Sequence, residues 1–161
     1  MKPDAVLLDT SFFIRLLNPT FPLHENAVGY YKYFLEEKIA LVCSTISIGE
    51  YCVMCALEDL PLRNLQILPF NLNHATRTGE LSRIAFEAKR NKVLETRERL
   101  IIPNDTKLFS QADVEPNIKY YLSSDTESSK IYNVLTQTDK LNFRFLDLSI
   151  KYQQAFGLLE L

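Results

Sequence analysis

Short, strongly apolar runs alternate with longer amphipathic runs along this chain, and no other feature limits its possible folds as much. The apolar runs lie at residues 5–8 (AVLL), 39–44 (IALVCS), 65–70 (LQILPF), 118–124 (IKYYLSS) and 143–148 (FRFLDL). Short runs of this kind are typical of strands that are buried on both faces. Strands that alternate with helices form βαβ units. The sequence therefore predicts an α/β fold with a parallel sheet of four or five strands, flanked by helices.

Apolar residues at helical spacing fill most of the intervening segments. The first helix is expected to follow Ser11, a good N-cap residue, and to stop at residues 18–20 (NPT). Further helices are expected at residues 25–37, from residue 47 onwards, and at residues 73–92, 106–112 and 127–135. Residues 97–103 favour no single element. Because the chain shows no repeat, linker or change of composition, we expect a single domain over residues 1–161.

The composition is that of a globular protein, with 47% hydrophobic and 24% charged residues. No apolar run could span a bilayer and the N-terminus lacks the features of a secretory signal, so we expect a cytoplasmic protein without a membrane partner. The 3 cysteines are expected to be reduced thiols. The net charge of −2 gives no overall attraction to phosphate, and the basic residues between positions 77 and 107 are interspersed with glutamates, which is typical of a solvated face. Any contact with nucleic acid must therefore be local.

Acidic residues recur where a predicted strand passes into a helix. Asp9 directly follows the first strand, and Asp125 follows the fourth apolar run in the same way. Glu50 falls in the first turn of the helix after the second strand, and Asp105 opens a later helix. In open α/β sheets, ligands gather at the carboxyl ends of the strands, where such junctions meet. We therefore expect these four carboxylates to point into one crevice.

Two interpretations of the four acids are open at this point. Each acid could cap a helix or be stabilised by the positive N-terminal end of a helix dipole. Ser47 with Glu50 also fits a capping box. Alternatively, the cluster holds a divalent cation, since like charges at short range raise one another's pKa unless they are neutralised. Oxygen ligands without neighbouring Cys or His favour Mg²⁺ or Mn²⁺. Such an ion activates water for in-line attack at phosphorus.

Four segments resemble the motifs of the PIN domain, including the VapC-like toxins of prokaryotic toxin–antitoxin pairs. They are VLLDTSFFIRLL, STISIGEYCV, NDTKLFSQAD and YYLSSD, in the order that the family has. The resemblance implies a PIN-like fold in which Asp9, Glu50, Asp105 and Asp125 ligate Mg²⁺ or Mn²⁺ and carry catalysis. Ser123 takes the place of a Ser or Thr that commonly stands shortly before the fourth acid, so it is expected to position the acids without binding the metal.

The same resemblance implies a function. We expect a metal-dependent ribonuclease that hydrolyses RNA phosphodiester bonds, with an antitoxin protein as partner if the chain is a toxin, and with a homodimer as its assembly. Candidate pairing surfaces are Phe12, Phe13, Leu16, Leu17 and the aromatic residues 30–34, because large exposed apolar patches are uncommon on monomers. Their alternative place is the protomer's own core. The alternative function is a non-catalytic PIN-like module that binds RNA or protein, in which the acids only cap helices.

Other candidate sites carry less weight. Cys52 and Cys55 have the spacing of a redox or zinc pair, but the helix predicted there places them on its buried side, which favours core packing. His24 and His74 stand alone and are expected at the surface or in helix caps. The chain has no glycine-rich phosphate loop and no nucleophile elbow. P-loop and serine-hydrolase chemistries are therefore excluded.

Overall fold

Five parallel strands form the sheet at the centre of the computed structural model, which describes residues 1–95 and 101–158. The strands are β1 (Ala5–Leu8), β2 (Ala40–Ser44), β3 (Leu65–Leu68), β4 (Ile118–Ser123) and β5 (Arg144–Asp147). Their order across the sheet is β3-β2-β1-β4-β5, so the first strand lies in the middle. All neighbouring strands are parallel. The predicted α/β fold is confirmed, and each strand lies within the apolar run that predicted it.

Helices connect the strands and cover both faces of the sheet. They are α1 (Thr10–Leu17), α2 (His24–Glu36), α3 (Thr45–Tyr51), α4 (Leu72–Arg90), α5 (Ile101–Val114), α6 (Thr126–Thr138) and α7 (Tyr152–Ala155). Two short 3-10 turns, Leu57–Asp59 and Leu62–Asn64, lie between α3 and β3. The segment that favoured no element, residues 97–103, falls partly outside the described residues. No helix in the described part of the chain is long and apolar enough to cross a membrane.

Two apolar cores lie on opposite faces of the sheet, because alternate residues of each strand point to opposite sides. Leu7 and Tyr121 belong to the core that α4, α5 and α6 cover, whereas Leu8 and Leu122 belong to the core that α1 and α2 cover. All four side chains of β1 are 0% exposed. Packing on both faces therefore fixes the carboxyl ends of β1 and β4, where two of the predicted acids emerge.

The helix α3 differs from its prediction in position. It begins at Thr45 with Ser44 as its N-cap, rather than near Ser47. Ser44 is the cap because its hydroxyl accepts a hydrogen bond from the backbone N–H of Ile46 at 3.0 Å. Ser47 is consequently inside the helix, and Glu50 lies in its last turn. The predicted capping box and the first-turn position of Glu50 are therefore wrong.

The early end of α3 changes the environment of Cys52 and Cys55. Both residues follow the helix in a turn, where their backbone N–H groups donate to the carbonyls of Ile48 and Tyr51 at 2.9 and 3.0 Å. Both thiols are free and exposed, whereas Cys43 in β2 is free and buried. The prediction that Cys52 and Cys55 pack in the core is wrong, because it assumed a helix that continued beyond residue 51.

The helices α1 and α5 also begin earlier than predicted. Asp9, and not Ser11, is the N-cap of α1, since its carboxylate accepts a hydrogen bond from the first backbone N–H of the helix. Asp105 lies inside α5 rather than at its start, because the helix already includes Ile101. The sequence did not indicate this early start, because Pro103 lies in this stretch and proline usually interrupts a helix. Proline is tolerated in the first turn of a helix, however.

Most of the large apolar side chains of the first two helices belong to the protomer's own core. Phe12 and Phe13 are at most 1% exposed, and Tyr30 and Phe34 are fully buried. For these four residues the core is therefore the correct alternative, and they provide no pairing surface. Leu17 remains 38% exposed at the end of α1.

Candidate functional site

Asp9 is the most buried of the four predicted acids, at 8% exposed, and three hydrogen bonds hold its carboxylate. Oδ1 accepts from the backbone N–H of Thr10 at 2.8 Å. Oδ2 accepts from the hydroxyls of Ser11 at 2.9 Å and Ser123 at 2.7 Å. Burial nevertheless raises the pKa of this carboxyl group, the hydrogen bonds only partly oppose the rise, and the charge of Asp125 adds to it. The fold therefore holds this carboxylate where its charge is unfavourable.

Ser123 connects Asp9 to Asp125. Its buried hydroxyl donates to Asp9 and accepts from the backbone N–H of Asp125 at 3.0 Å. Asp125 is exposed and is the N-cap of α6, since its Oδ1 accepts from the backbone N–H of Glu127 at 2.8 Å. One serine at the end of β4 therefore sets the relative position of the acids that follow β1 and β4.

Glu50 reaches the same place from α3. Its Oε2 accepts a hydrogen bond from the Thr10 hydroxyl at 2.9 Å, and the same hydroxyl lies 3.3 Å from the carbonyl oxygen of Ser47. Desolvation raises the pKa of the Glu50 carboxyl group, although the residue as a whole is exposed, and the charge of Asp9 also raises it. The Thr10 hydrogen bond and the charge of Lys107 oppose the rise. Thr10 thus links the second acid to the helix that Asp9 caps.

The pKa of Asp105 is strongly raised. Burial is the largest cause, and the negative charges of Asp125, Asp9 and Glu50 contribute, so that the pKa of this carboxyl group rises to about 7. A hydrogen bond from Ser128 opposes the rise. The Oδ2 atom is buried and has no hydrogen-bond partner among the residues that the structure describes. A buried carboxylate oxygen in this state is unfavourable unless a water or a cation binds to it.

The four acids line one cleft of about 310 Å³, which we call the acid cleft. It lies at the carboxyl edge of the sheet, so it brings together all four side chains that the sequence placed in one crevice. The other residues that line it are Thr10, Ser11, Ile14, Arg15, Asn104 and Leu108. Thr10 and Ser11 support the acids through the hydrogen bonds already described. Arg15 and Asn104 were not foreseen from the sequence.

Among the described residues that line the acid cleft, Arg15 is the one with a positive charge. It lies one helical turn after Ser11 on α1, and its Nη1 donates to the carbonyl oxygen of Ser11 at 3.2 Å. Within the described ranges it forms no ion pair, and its Nε is buried without a hydrogen-bond partner. The signal in the sequence was the spacing of four residues from Ser11, which places both side chains on one face of the helix.

The acid cleft fits a hard divalent cation that keeps much of its water. Within residues 1–95 and 101–158, no three acidic, histidine or cysteine side chains converge as ready-made ligands of one ion. Mg²⁺ does not need such a cage, because it usually binds one or two carboxylates and completes its octahedron with water and substrate. The unpartnered Oδ2 of Asp105 and the oxygen-only donors suit this ion or Mn²⁺.

The two histidines have structural positions outside the acid cleft. His74 is fully buried, forms a capping box with Asn71 at the start of α4, and places Nε2 3.0 Å from a carboxylate oxygen of Glu115. Its predicted capping role is confirmed, and the surface alternative is wrong. His24 is half-buried at the start of α2, where its Nδ1 lies 2.8 Å from the carbonyl oxygen of Arg15.

The sequence matches no protein-family profile and no curated protein. Solved structures with a similar arrangement of elements do exist. VapBC2 from Rickettsia felis, bound to a DNA fragment from their promoter, is 18% identical with a TM-score of 0.56, over 89% of this chain and 99% of that chain. DNA-bound VapBC from Salmonella typhimurium is 15% identical with a TM-score of 0.54, over 90% and 98%. The sarcin–ricin loop cleaving toxin VapC20 of Mycobacterium tuberculosis is 18% identical with a TM-score of 0.49, over 78% and 93%.

The likenesses to the two VapBC structures extend over nearly the whole of both chains. They therefore concern the complete sheet with its helices and not one local motif. At such low sequence identity they establish architecture, and the chemistry has to be argued from the acid cleft itself. This chain has the α/β fold of the VapC-like PIN domains.

Proposed function

We propose that this chain is an endoribonuclease that uses Mg²⁺ or Mn²⁺ to hydrolyse RNA phosphodiester bonds. The observation that carries the proposal is the acid cleft, where four carboxylates lie together and one buried oxygen of Asp105 lacks a partner among the described residues. Such a cluster is unfavourable alone and becomes favourable when a divalent cation is bound. The PIN-like fold supports RNA as the substrate class by analogy.

The metal side of the site would involve three of the acids. Asp9 and Asp105 are the main ligands, and Asp125 binds directly or through water. The bound ion supplies an activated water and stabilises the charge that develops on the phosphate. Ser123 keeps Asp9 in one orientation, because its hydroxyl donates to Oδ2 at 2.7 Å, and such supporting hydrogen bonds strengthen metal binding.

The substrate side of the site would depend on Glu50 and Arg15. Oε2 of Glu50 already accepts a hydrogen bond from Thr10. We therefore assign Oε1 to orienting the attacking water and accepting its proton. The alternative is that Glu50 is itself a further ligand of the metal. The raised pKa of Glu50 favours this uptake of a proton. Arg15 has no carboxylate partner within the described ranges, so its guanidinium group can bind phosphate oxygens beside the acids.

Cleavage of single-stranded RNA by the purified chain in the presence of Mn²⁺ tests the proposal. Asp9→Asn and Asp105→Asn are expected to abolish cleavage at unchanged far-UV circular dichroism, because each keeps the shape of the side chain and removes its charge. Glu25→Gln, which neutralises an exposed acid on α2, is the matched control and should cut RNA normally. Cleavage at the wild-type rate by either cleft variant would show that the assigned chemistry is wrong.

A non-catalytic module that binds RNA or protein is the second candidate. It is favoured by the observation that Asp9 and Asp125 each cap a helix, which gives both acids a structural explanation. Isothermal titration with Mn²⁺ separates the candidates. The nuclease predicts a heat of binding that Asp105→Asn removes, whereas the absence of any heat up to millimolar Mn²⁺ would favour the module.

An antitoxin protein is the proposed partner, and a toxin the proposed biological role. Two of the similar solved structures are VapBC assemblies, which supports a protein partner for a chain of this fold. A small open reading frame directly upstream, encoding a DNA-binding segment with an amphipathic tail, is expected. Co-expression of its product should inhibit RNA cleavage by this chain. Undiminished cleavage in the co-purified mixture would exclude that protein as an antitoxin.

We propose that residues 1–161 form one domain and that the protein is a homodimer. Its proposed location is the cytoplasm. Leu35 on α2 is 44% exposed and can contribute to a pairing surface on the first helices. Light scattering at micromolar concentration tests the assembly. A mass that stays at 18.6 kDa as the concentration rises would contradict it.

A further inference from the structure

A second cavity, of about 400 Å³, adjoins the acid cleft, and we propose that it binds an unpaired nucleobase of the RNA strand whose backbone enters the cleft. We call it the base cavity. The inference rests on the proposed ribonuclease function, which supplies the RNA strand. Cavities of this size are typical of sites for small organic groups. Its position, its walls and its charges each favour a base over another occupant.

Two helices run from the acid cleft to the base cavity. On α1, Arg15 lines the cleft, Ile14 lines both, and Leu17 lines the base cavity. On α3, Glu50 lines the cleft and the next residue, Tyr51, lines the base cavity. Ile14 and Leu17 are three residues apart on α1 and follow one another along one face of the helix, with a rise of about 5 Å. A nucleotide that neighbours the reacting phosphate therefore reaches the base cavity.

The walls of the base cavity suit the flat face of a base. Phe21 and Leu17 are 43% and 38% exposed, so both present apolar surface to water in the free protein. Tyr51 is only 5% exposed and closes the cavity against the core. Proteins that bind single-stranded RNA commonly stack unpaired bases on exposed aromatic side chains. Stacking on Phe21 would cover this surface and hold the strand in register with the acids.

The polar groups of the base cavity suit the edge of a base. Oδ1 of Asn18 accepts hydrogen bonds from the backbone N–H and the hydroxyl of Thr20 at 3.1 and 2.7 Å, so the amide nitrogen of Asn18 is the group assigned to donate to the base. The carboxylate of Asp59 accepts from base N–H groups and repels phosphate. Charge therefore directs the base to this cavity and the phosphate towards Arg15.

Alkylation of the two exposed cysteines tests the proposal on the unmodified chain. Cys55 lines the base cavity, whereas Cys52, in the same turn, does not, which makes it an internal control. With a short single-stranded RNA bound, in EDTA to prevent metal-dependent cutting, N-ethylmaleimide should modify Cys55 severalfold more slowly and Cys52 at an unchanged rate. Peptide mass spectrometry measures both rates. Equal rates with and without RNA, or equal protection of both thiols, would overturn the proposal.

Variants at Phe21 test whether a base is the group that is bound. By fluorescence anisotropy in EDTA, Phe21→Ala should weaken binding of the RNA on the order of tenfold, Phe21→Trp should retain it, and Leu72→Ala, at an exposed residue of α4, should have no effect. Removing the base at one position of the RNA should cause the same loss and make binding insensitive to Phe21→Ala. If Phe21→Ala weakens every abasic strand equally, or if the wild-type chain binds no strand, the proposal is wrong.

These measurements also separate the base cavity from the nuclease proposal, because neither depends on cleavage. A chain that shows the Cys55 protection but cuts no RNA with Mn²⁺ retains the base cavity and refutes the nuclease. A chain that cuts RNA and requires Asp105, but binds it equally well with Phe21→Ala, retains the nuclease and refutes the base cavity. Occupation by a protein segment would be indicated if an upstream-encoded partner protected Cys55 and RNA did not.

Discussion

The acid cleft and the ion-pair cluster around Arg77 both gather carboxylates, but, within residues 1–95 and 101–158, ion pairs form only in the second. Arg77 on α4 donates through Nε to Oδ2 of Asp113 at 2.7 Å, and its terminal nitrogens lie 2.8 Å from Glu80 and 2.9 Å from Asp139. Asp113 also accepts from the backbone N–H of Asn142 at 2.7 Å. These contacts join α4, α5 and the end of α6, so the acids of this cluster have a structural role.

Among the residues that the structure describes, none pairs with the acids of the cleft as Arg77 does in its cluster. Arg15 borders it but forms no ion pair in the part of the chain that the structure describes, and the pKa of Asp105 is raised to about 7 by burial and by its acidic neighbours. Acids that only stabilise a fold are usually paired, as they are around Arg77. This difference supports the proposal that the acid cleft binds a divalent cation from outside the chain.

The largest expected effect separates the two clusters by activity. Asp105→Asn should lower the rate of RNA cleavage with Mn²⁺ on the order of 100-fold or more, because it removes a proposed ligand of the ion. Asp113→Asn should leave the rate per folded molecule unchanged. Initial rates on a fluorescent oligoribonucleotide, normalised to the folded fraction, measure both. Equal losses in the two variants would remove the functional distinction.

Stability should show the opposite order. Arg77→Ala leaves Asp113, which is 7% exposed, without its charged partner, and removing one member of a buried ion pair costs about 3 kcal/mol or more. Arg15→Ala should cost less than about 1 kcal/mol, since no ion pair of the described residues is lost. Urea denaturation followed by circular dichroism gives both free energies of unfolding. A larger loss for Arg15→Ala would contradict the comparison.

Asp105 contributes strongly to the pH dependence of the metal-free protein's stability. Its folded-state pKa is raised from 3.8 to about 7, so the folded state retains a proton that the unfolded chain releases. The stability that this proton contributes is fully present below the unfolded pKa and is lost as the pH rises through the folded pKa. Allowing for solvent screening of a half-buried group, we expect a loss of about 1–2 kcal/mol.

Thermal denaturation in EDTA, on either side of that pH range, measures this loss. Asp105→Asn should reduce it, leaving the part that comes from the raised pKa values of Asp9 and Glu50, and should be more stable than the wild type at the higher pH, although it is inactive. Mn²⁺ should restore the stability of the wild type only. A wild-type profile that is flat in EDTA would show that the charge of Asp105 is already compensated within the protein.

The smallest expected effect concerns Arg15. Arg15→Ala should weaken binding of single-stranded RNA a few-fold and reduce the slope of log affinity against log salt by about 1, because one phosphate contact is lost. Arg15→Lys should keep the slope of log affinity against log salt, because it keeps the charge. In its folded fraction, Arg77→Ala should keep both the affinity and this slope. Unchanged salt dependence in Arg15→Ala would show that Arg15 does not contact phosphate.

The strands could be predicted from the sequence alone because each is a local apolar run bounded by polar residues. The helix α2 (His24–Glu36) likewise lies within one residue of its predicted bounds, since its periodicity is continuous. Helix starts were less predictable where several capping residues compete. Ser44 and Ser47 are equally good caps by residue type. Ser44 is the N-cap of α3 in the structure because β2 ends at this residue, in register with Leu68 of β3.

The sequence by itself determined the α/β architecture and the places of Asp9 and Asp125 after β1 and β4, because these follow from local pattern and chain order. Glu50 and Asp105 reach the same cleft from other positions in their helices than the sequence predicted. Only the tertiary structure decided that one oxygen of Asp105 is buried and unpartnered in its described surroundings, that Arg15 borders the same cleft, and that Cys55 is exposed. Burial and electrostatic environment depend on side chains that are distant in the chain. The 2.9 Å hydrogen bond from the Thr10 hydroxyl to Glu50 joins two separate helices, and no local sequence pattern predicts it.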